Sequence, residues 1–192
     1  MDGKRLFIAL WPPAIVQREL AALAAAEPLG VPVQSDNLHL TLAFLGNSSA
    51  QQEYCYRRVL RHLKFAPIAL DIHQMGFWRA PRILWTGPEE APAILTTLVE
   101  NIYMLLQPCG FVPDPRPFRA HITLKRKYPG PAPGWGMRPP VRWLADTVAL
   151  VWSQSTPQGV RYQLLLKLAS ESGDQVSENP FARRLGKKQP PY

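Results

Sequence analysis

Cysteine and histidine are both scarce in this 192-residue chain, with two of the first and four of the second. Cys55 and Cys109 are too few for a disulfide framework and too far apart for close metal-ligand spacing, so they read as two reduced thiols of a cytoplasmic protein. No apolar run approaches the ~18 residues that a bilayer-spanning helix needs, which points away from a membrane protein. The opening MDGKRLFIALWPP is basic and briefly apolar, but it meets Pro12-Pro13 with no small-residue cleavage site. It reads as a first strand, not a secretory leader. H-E-x-x-H, C-x-x-C, the P-loop and the dinucleotide glycine fingerprint are all missing, and so is a marked nucleophile elbow. These gaps disfavour a zinc hydrolase, a dinucleotide enzyme and a serine hydrolase.

What is present is a core, a charge bias and a repeated motif. Hydrophobic residues make up 46% of the chain and aromatics 10%, enough for one domain of ordinary size. The 21 prolines favour many short elements joined by stiff loops. Net charge is +8. Between positions 111 and 143, Arg116, Arg119, Lys125, Arg126, Lys127, Arg138 and Arg142 face Asp114 alone. Such clustering suits an anionic ligand, a phosphate or a nucleic acid.

Two of the four histidines open near-identical tetrapeptides, His39-Leu40-Thr41-Leu42 and His121-Ile122-Thr123-Leu124. With seven threonines in the chain, chance placement would give about 0.15 His-x-Thr triplets. Strand side chains alternate, so His and Thr share one face of each segment and the aliphatics take the other. In the first strand, over residues 36–46, Leu38, Leu40, Leu42 and Phe44 form the apolar face, opposite His39, Thr41 and Ala43. The second runs over 118–127. Strict alternation puts Lys125 on the His121 face and Arg126 opposite, unless a bulge or the strand end turns Arg126 inward. Either cation is then a candidate phosphate contact. His62 and His73 lack a threonine partner and read as structural or surface residues.

Around these strands the pattern predicts a strand ending at Leu10, helices over 14–27, about 49–64 and 92–107, and strands over 65–75 and 81–87. A hairpin is expected over 147–168, about Thr156-Pro157-Gln158-Gly159. The fold class is α+β. The motifs lie 82 residues apart, which suggests two pseudo-symmetric lobes with His39 and His121 meeting in one central cleft. The expected domain is 1–170, with 171–192 a polar, basic tail.

Metal-free cleavage of a phosphodiester needs a base for the nucleophile, an acid for the leaving oxygen and donors for the non-bridging oxygens. Imidazole is the side chain of which one copy can be neutral and another charged near pH 7. Thr41 and Thr123 supply hydroxyl donors. A non-catalytic RNA- or nucleotide-binding module could keep the same residues.

The paired H-x-T-x motifs, with RLFIAL near the start, DNLHLTLAFLG around the first and RPFRAHITLKR around the second, resemble the two-histidine phosphoesterase superfamily. Within it they are most similar to the RNA 2′,3′-cyclic phosphodiesterase branch, also described as 2′-5′ RNA ligase-like. The resemblance covers residues 4–169. It implies a bilobal α+β fold of mostly antiparallel sheet with helices outside. The implied activity is metal-independent opening of 2′,3′-cyclic phosphates on RNA ends or nucleotides, leaving a 2′-phosphate, with no cofactor. By the same likeness His39 donates a proton to the departing 3′ oxygen, His121 activates water, and Thr41 and Thr123 hold the phosphate. Action on 2′-5′-linked oligonucleotides or small cyclic nucleotides is the alternative. A monomer with no membrane association is expected. Arg119-Ala120 stands where relatives often carry His-Pro.

Overall fold

A computed structural model describes residues 3–136, 138–157 and 159–171. The chain runs β1 (Lys4–Leu10), α1 (Ala14–Ala25), β2 (Val31–Pro32), β3 (Leu40–Ser48), α2 (Ala50–Leu60), β4 (Ile68–Ile72), β5 (Gln74–Trp78), β6 (Ile83–Gly87) and α3 (Ala93–Leu106). It continues through β7 (Ile122–Arg126), β8 (Val141–Ala145), β9 (Thr147–Thr156) and β10 (Gly159–Ala169). This is α+β, as expected. The tail lies outside the described residues beyond Glu171, as do Gln158 of the hairpin turn and Met137.

One large sheet takes the order β10-β9-β1-β3-β7-β6-β5, with β2 beside β7, and β4 pairs with β8 in a separate ribbon. All the pairings are antiparallel. The two motif strands are therefore neighbours at the middle of the sheet, with β1, β9 and β10 on one side and β6 and β5 on the other. Their backbone pairing is confined to Leu40 against Ile122. From that point β3 follows β1, and β7 follows β6 and β2.

The core lies on the aliphatic face of this sheet. Leu38, Leu40, Leu42, Ile122 and Leu124 are at most 2% exposed and join Leu6, Ile8 and Leu10 of β1. Helices close over them with Val16, Leu20 and Leu23 of α1, Tyr56 and Leu60 of α2, and Leu95, Leu98, Val99 and Ile102 of α3. Each such aliphatic side chain contributes about 1.5–3 kcal/mol on burial. α2 starts where Ser49 and Gln52 form a capping box, each side chain bonding the other's backbone N–H. α3 ends in a turn of 3₁₀ helix over Gln107–Cys109, stopped by Gly110 at φ 75°, a conformation glycine adopts without a Cβ clash.

Several expectations change. Cys55 on α2 and Cys109 beyond α3 are joined in a disulfide and are not two free thiols. Their separation of 54 residues hides a pairing that follows from α2 packing on α3. The strand expected over 65–75 is two strands in different sheets, β4 and β5. β8 and the two-residue β2 carried no clear signal. The first motif strand starts at Leu40, after a 3₁₀ turn at Ser35–Asn37.

Candidate active site

Antiparallel pairing of Leu40 with Ile122 sets the flanking residues across from one another, His39 against Thr123 and Thr41 against His121. The two motifs are thus related by a local two-fold axis through that rung, and their polar side chains share the face away from the core. The charge of His121 is felt at His39, and so is that of Arg126. The pairing thus sets the two motifs beside one another on one face of the sheet.

Both imidazoles are held in the same way. The His39 Nδ1–H donates to the carbonyl of Asn37 at 2.6 Å, and the His121 Nδ1–H donates to that of Arg119 at 2.8 Å. A carbonyl can only accept, so this contact fixes the tautomer and leaves each Nε2 as the basic nitrogen. The Asn37 side chain donates to the Val160 carbonyl on β10, tying the turn that presents His39 to the far side of the sheet. Thr41 lies with its hydroxyl 3.1 Å from His39 Nε2.

Aromatic rings surround the pair. His39 stacks between Phe7, 4.8 Å away, and Trp11, 5.6 Å away and inclined by only 6°, with Tyr162 edge-on at 5.2 Å. Trp78 meets His121 edge-on at 4.5 Å, and Trp85 lies next to Trp78. Gly76 makes room for Trp85, because a Cβ there would sit 2.0 Å from the indole. Burial among these groups lowers the pKa of His39 to about 4, outweighing the opposing bond to Asn37, with His121 and Arg126 adding to the fall. Burial also lowers His121, against its bond to Arg119 and with help from the Arg119 charge. With both values lowered from the ordinary 6.5, both rings are mainly neutral near pH 7.

The fate of the two cations turns on a β-bulge. Thr123 pairs with Trp85 but Lys125 with Leu84, so Leu124 is an extra residue on β7. The bulge puts Leu124 and Lys125 both on the core side and returns Arg126 to the histidine face. Lys125 is 3% exposed, and its ammonium donates to the Glu27 carbonyl just past α1. It is a structural residue. Arg126 is exposed beside the cleft. β3 repeats the device, since Ala9 pairs with Thr41 but Ile8 with Ala43, making Leu42 the extra residue. Ala43 is therefore buried, and Phe44 is 62% exposed, the reverse of strict alternation.

His62 lies outside this cluster, at the end of α2. His73 bonds the Asp71 carbonyl and faces Glu89 at 3.6 Å. Asn37 and the rings of Phe7, Trp11, Tyr162 and Trp78 were not singled out from the sequence. Trp11 at the end of the first strand was the one visible hint. Among the described residues no group of three or more His, Cys, Asp or Glu is placed to hold a metal ion.

The chain is 33% identical over 128 residues to an Escherichia coli RNA 2′,3′-cyclic phosphodiesterase, covering 65% of this chain and 73% of that one. A protein of the same name from Thermus thermophilus is 31% identical along 95% of this chain and 99% of its own. This chain belongs to the RNA 2′,3′-cyclic phosphodiesterase family. E. coli LigT in its apo form superposes with a TM-score of 0.78 at 29% identity, over 90% of this chain and all of that one. The same E. coli protein complexed with 3′-AMP also gives 0.78. No protein-family model matches the chain. The LigT-like, two-histidine fold inferred from the motifs is the fold found.

Proposed function

We propose that the chain opens 2′,3′-cyclic phosphates at RNA ends to 2′-phosphomonoesters without a metal, using His121 as base and His39 as acid. His121 Nε2 takes a proton from water as its oxygen attacks phosphorus. The bond from phosphorus to O3′ breaks, and His39 Nε2–H protonates the departing oxygen. His39 is neutral in the free site, so it must gain its proton as the phosphate binds. The anion supplies the opposite charge that raises an imidazole pKa. Thr41, Thr123 and Arg126 hold the non-bridging oxygens.

One observation carries this reading: two imidazoles with matched Nδ1 anchors flank a single rung of the sheet. The test is to incubate the protein with RNA ending in a 2′,3′-cyclic phosphate in EDTA and identify the product. A 2′-phosphate formed at an undiminished rate supports the reading. Tight RNA binding with no opening favours a binding module, and loss in EDTA with rescue by a divalent ion overturns the metal-free mechanism. We also propose that the enzyme acts as a monomer in the cytoplasm. No helix among the described residues is long and apolar enough to cross a membrane. Disulfides are uncommon in reducing compartments, so thiol counting on protein isolated from its host tests the location.

A further inference from the structure

The matched bulges define a second pair of related positions. Counting from His39 and from His121, the fifth residue onward is Phe44 in one strand and Arg126 in the other. Each is returned to the cleft face by an extra leucine just after the motif threonine. Without the bulge Phe44 would point into the core, where alternation puts it. Bulges beside active sites commonly re-aim one side chain in this way. Here the outcome is an aromatic ring, 62% exposed, on the face that carries both imidazoles.

Its surroundings say what it is for. Phe44 pairs with Phe7, whose own ring is 4% exposed and packed on His39. The Phe44 ring is thus next in line from His39 across the sheet, left uncovered where β3 no longer has β7 beside it. Two residues along β1 from the Thr41 level brings the chain to Phe44, a step of about 6.6 Å. A further equal step reaches Arg5, opposite Asn47, exposed and on the same face as Phe7. A flat ring followed by a cation is the pattern that single-stranded nucleic acid meets on its binding surfaces, base on ring and phosphate on charge.

We propose that Phe44 stacks the base of the nucleotide preceding the terminal one, and that Arg5 meets the phosphodiester beyond it. The site then prefers an RNA strand over a mononucleotide carrying the same cyclic phosphate. This rests on the reading under Proposed function and deepens it. An apolar residue in the core has no reason to be turned outward by a bulge, whereas a stacking platform must be.

The experiment compares kcat/KM for adenosine 2′,3′-cyclic phosphate with that for a short oligoadenylate ending in the same group. The wild type, Phe44→Ala, Phe44→Trp and Arg5→Gln are measured, with circular dichroism confirming the fold. The expected result is a ratio of oligonucleotide to mononucleotide that falls about tenfold in Phe44→Ala, the worth of one base stack, and recovers in Phe44→Trp. Arg5→Gln should lower the salt dependence of oligonucleotide binding by about 0.7 in log–log slope. An unchanged ratio, whether both substrates lose alike or neither does, overturns the proposal. If the wild type opens neither substrate, the catalytic reading fails on its own. The subsite is then read from binding of an oligoadenylate ending in a 2′-phosphate, where equal affinity of wild type and Phe44→Ala overturns it.

Discussion

The Thr41 hydroxyl lies 3.1 Å from Nε2 of His39, and because Nδ1–H of that ring is spent on Asn37, the hydroxyl is the donor. In the free site the Thr41 hydroxyl hydrogen is thus engaged with the imidazole. Protonation of Nε2 would reverse the bond, Nε2–H donating to the hydroxyl oxygen and freeing that hydrogen for an anion. Replacing either histidine by alanine should cost about 10²–10⁴-fold in kcat, the usual worth of a general acid or base. Thr41→Val and Thr123→Val should cost less. Steady-state rates on a 2′,3′-cyclic nucleotide, with circular dichroism to check folding, measure this. A histidine variant with nearly full activity removes that residue from the chemistry.

Neighbouring cations in β7 have opposite fates. Lys125→Met should lower stability, since the Glu27 carbonyl loses a charged donor in a buried place, at about 1.5–3 kcal/mol for such a bond. Its kcat should hold. Arg126→Gln should leave stability nearly unchanged and reduce turnover, because its charge faces the cleft. Urea unfolding alongside kinetics separates the two.

The lowered pKa of His39 makes stability depend on pH. Between about 4, its folded value, and its ordinary 6.5, the unfolded chain binds a proton that the folded chain refuses. Stability therefore rises with pH across that window, is complete above 6.5, and is lost as pH falls through 4. The full swing is on the order of 3 kcal/mol. His39→Gln should flatten the slope in urea titrations between pH 4 and 7. Saturating inorganic phosphate should raise the His39 pKa seen by NMR, whereas an unmoved value contradicts the handover of the proton described above.

The Cys55–Cys109 bond closes a loop of 54 residues. In the chain-entropy treatment such a loop is worth about 4 kcal/mol. Reduction with a strong thiol, or the double Cys→Ser variant, should lower the melting temperature by many degrees while leaving the site able to turn over at low temperature. A melting curve indifferent to reductant shows that the bond is not formed in solution.

The site was legible because repetition and spacing are properties of sequence. Two His-x-Thr strands with aliphatics between them specify a face, and the face specifies a cleft. The bulges were not legible. An extra residue opposite a partner strand leaves no mark in the chain itself, so alternation ran on past Thr41 and Thr123 and misplaced Ala43, Phe44 and Lys125. Helix existence could be read, but the exact buried stripe could not. Ile15 and Tyr54 are exposed, while Val16 and Tyr56 are buried, because the direction of packing decides which side of a short amphipathic helix turns inward. The rings around His39 come from β1 and β10, which are distant in sequence and adjacent only through sheet order. The disulfide likewise needs the docking of two helices.

Pairing between the motif strands is limited to Leu40 and Ile122, and this has a consequence for tolerance to change. That one rung, together with the Asn37 and Arg119 carbonyls that hold the rings, sets the gap between the two imidazoles. Lengthening the connections far from that rung should leave the gap intact. Deleting one residue between either histidine and its threonine would swing a ring to the wrong side and break the pair at once.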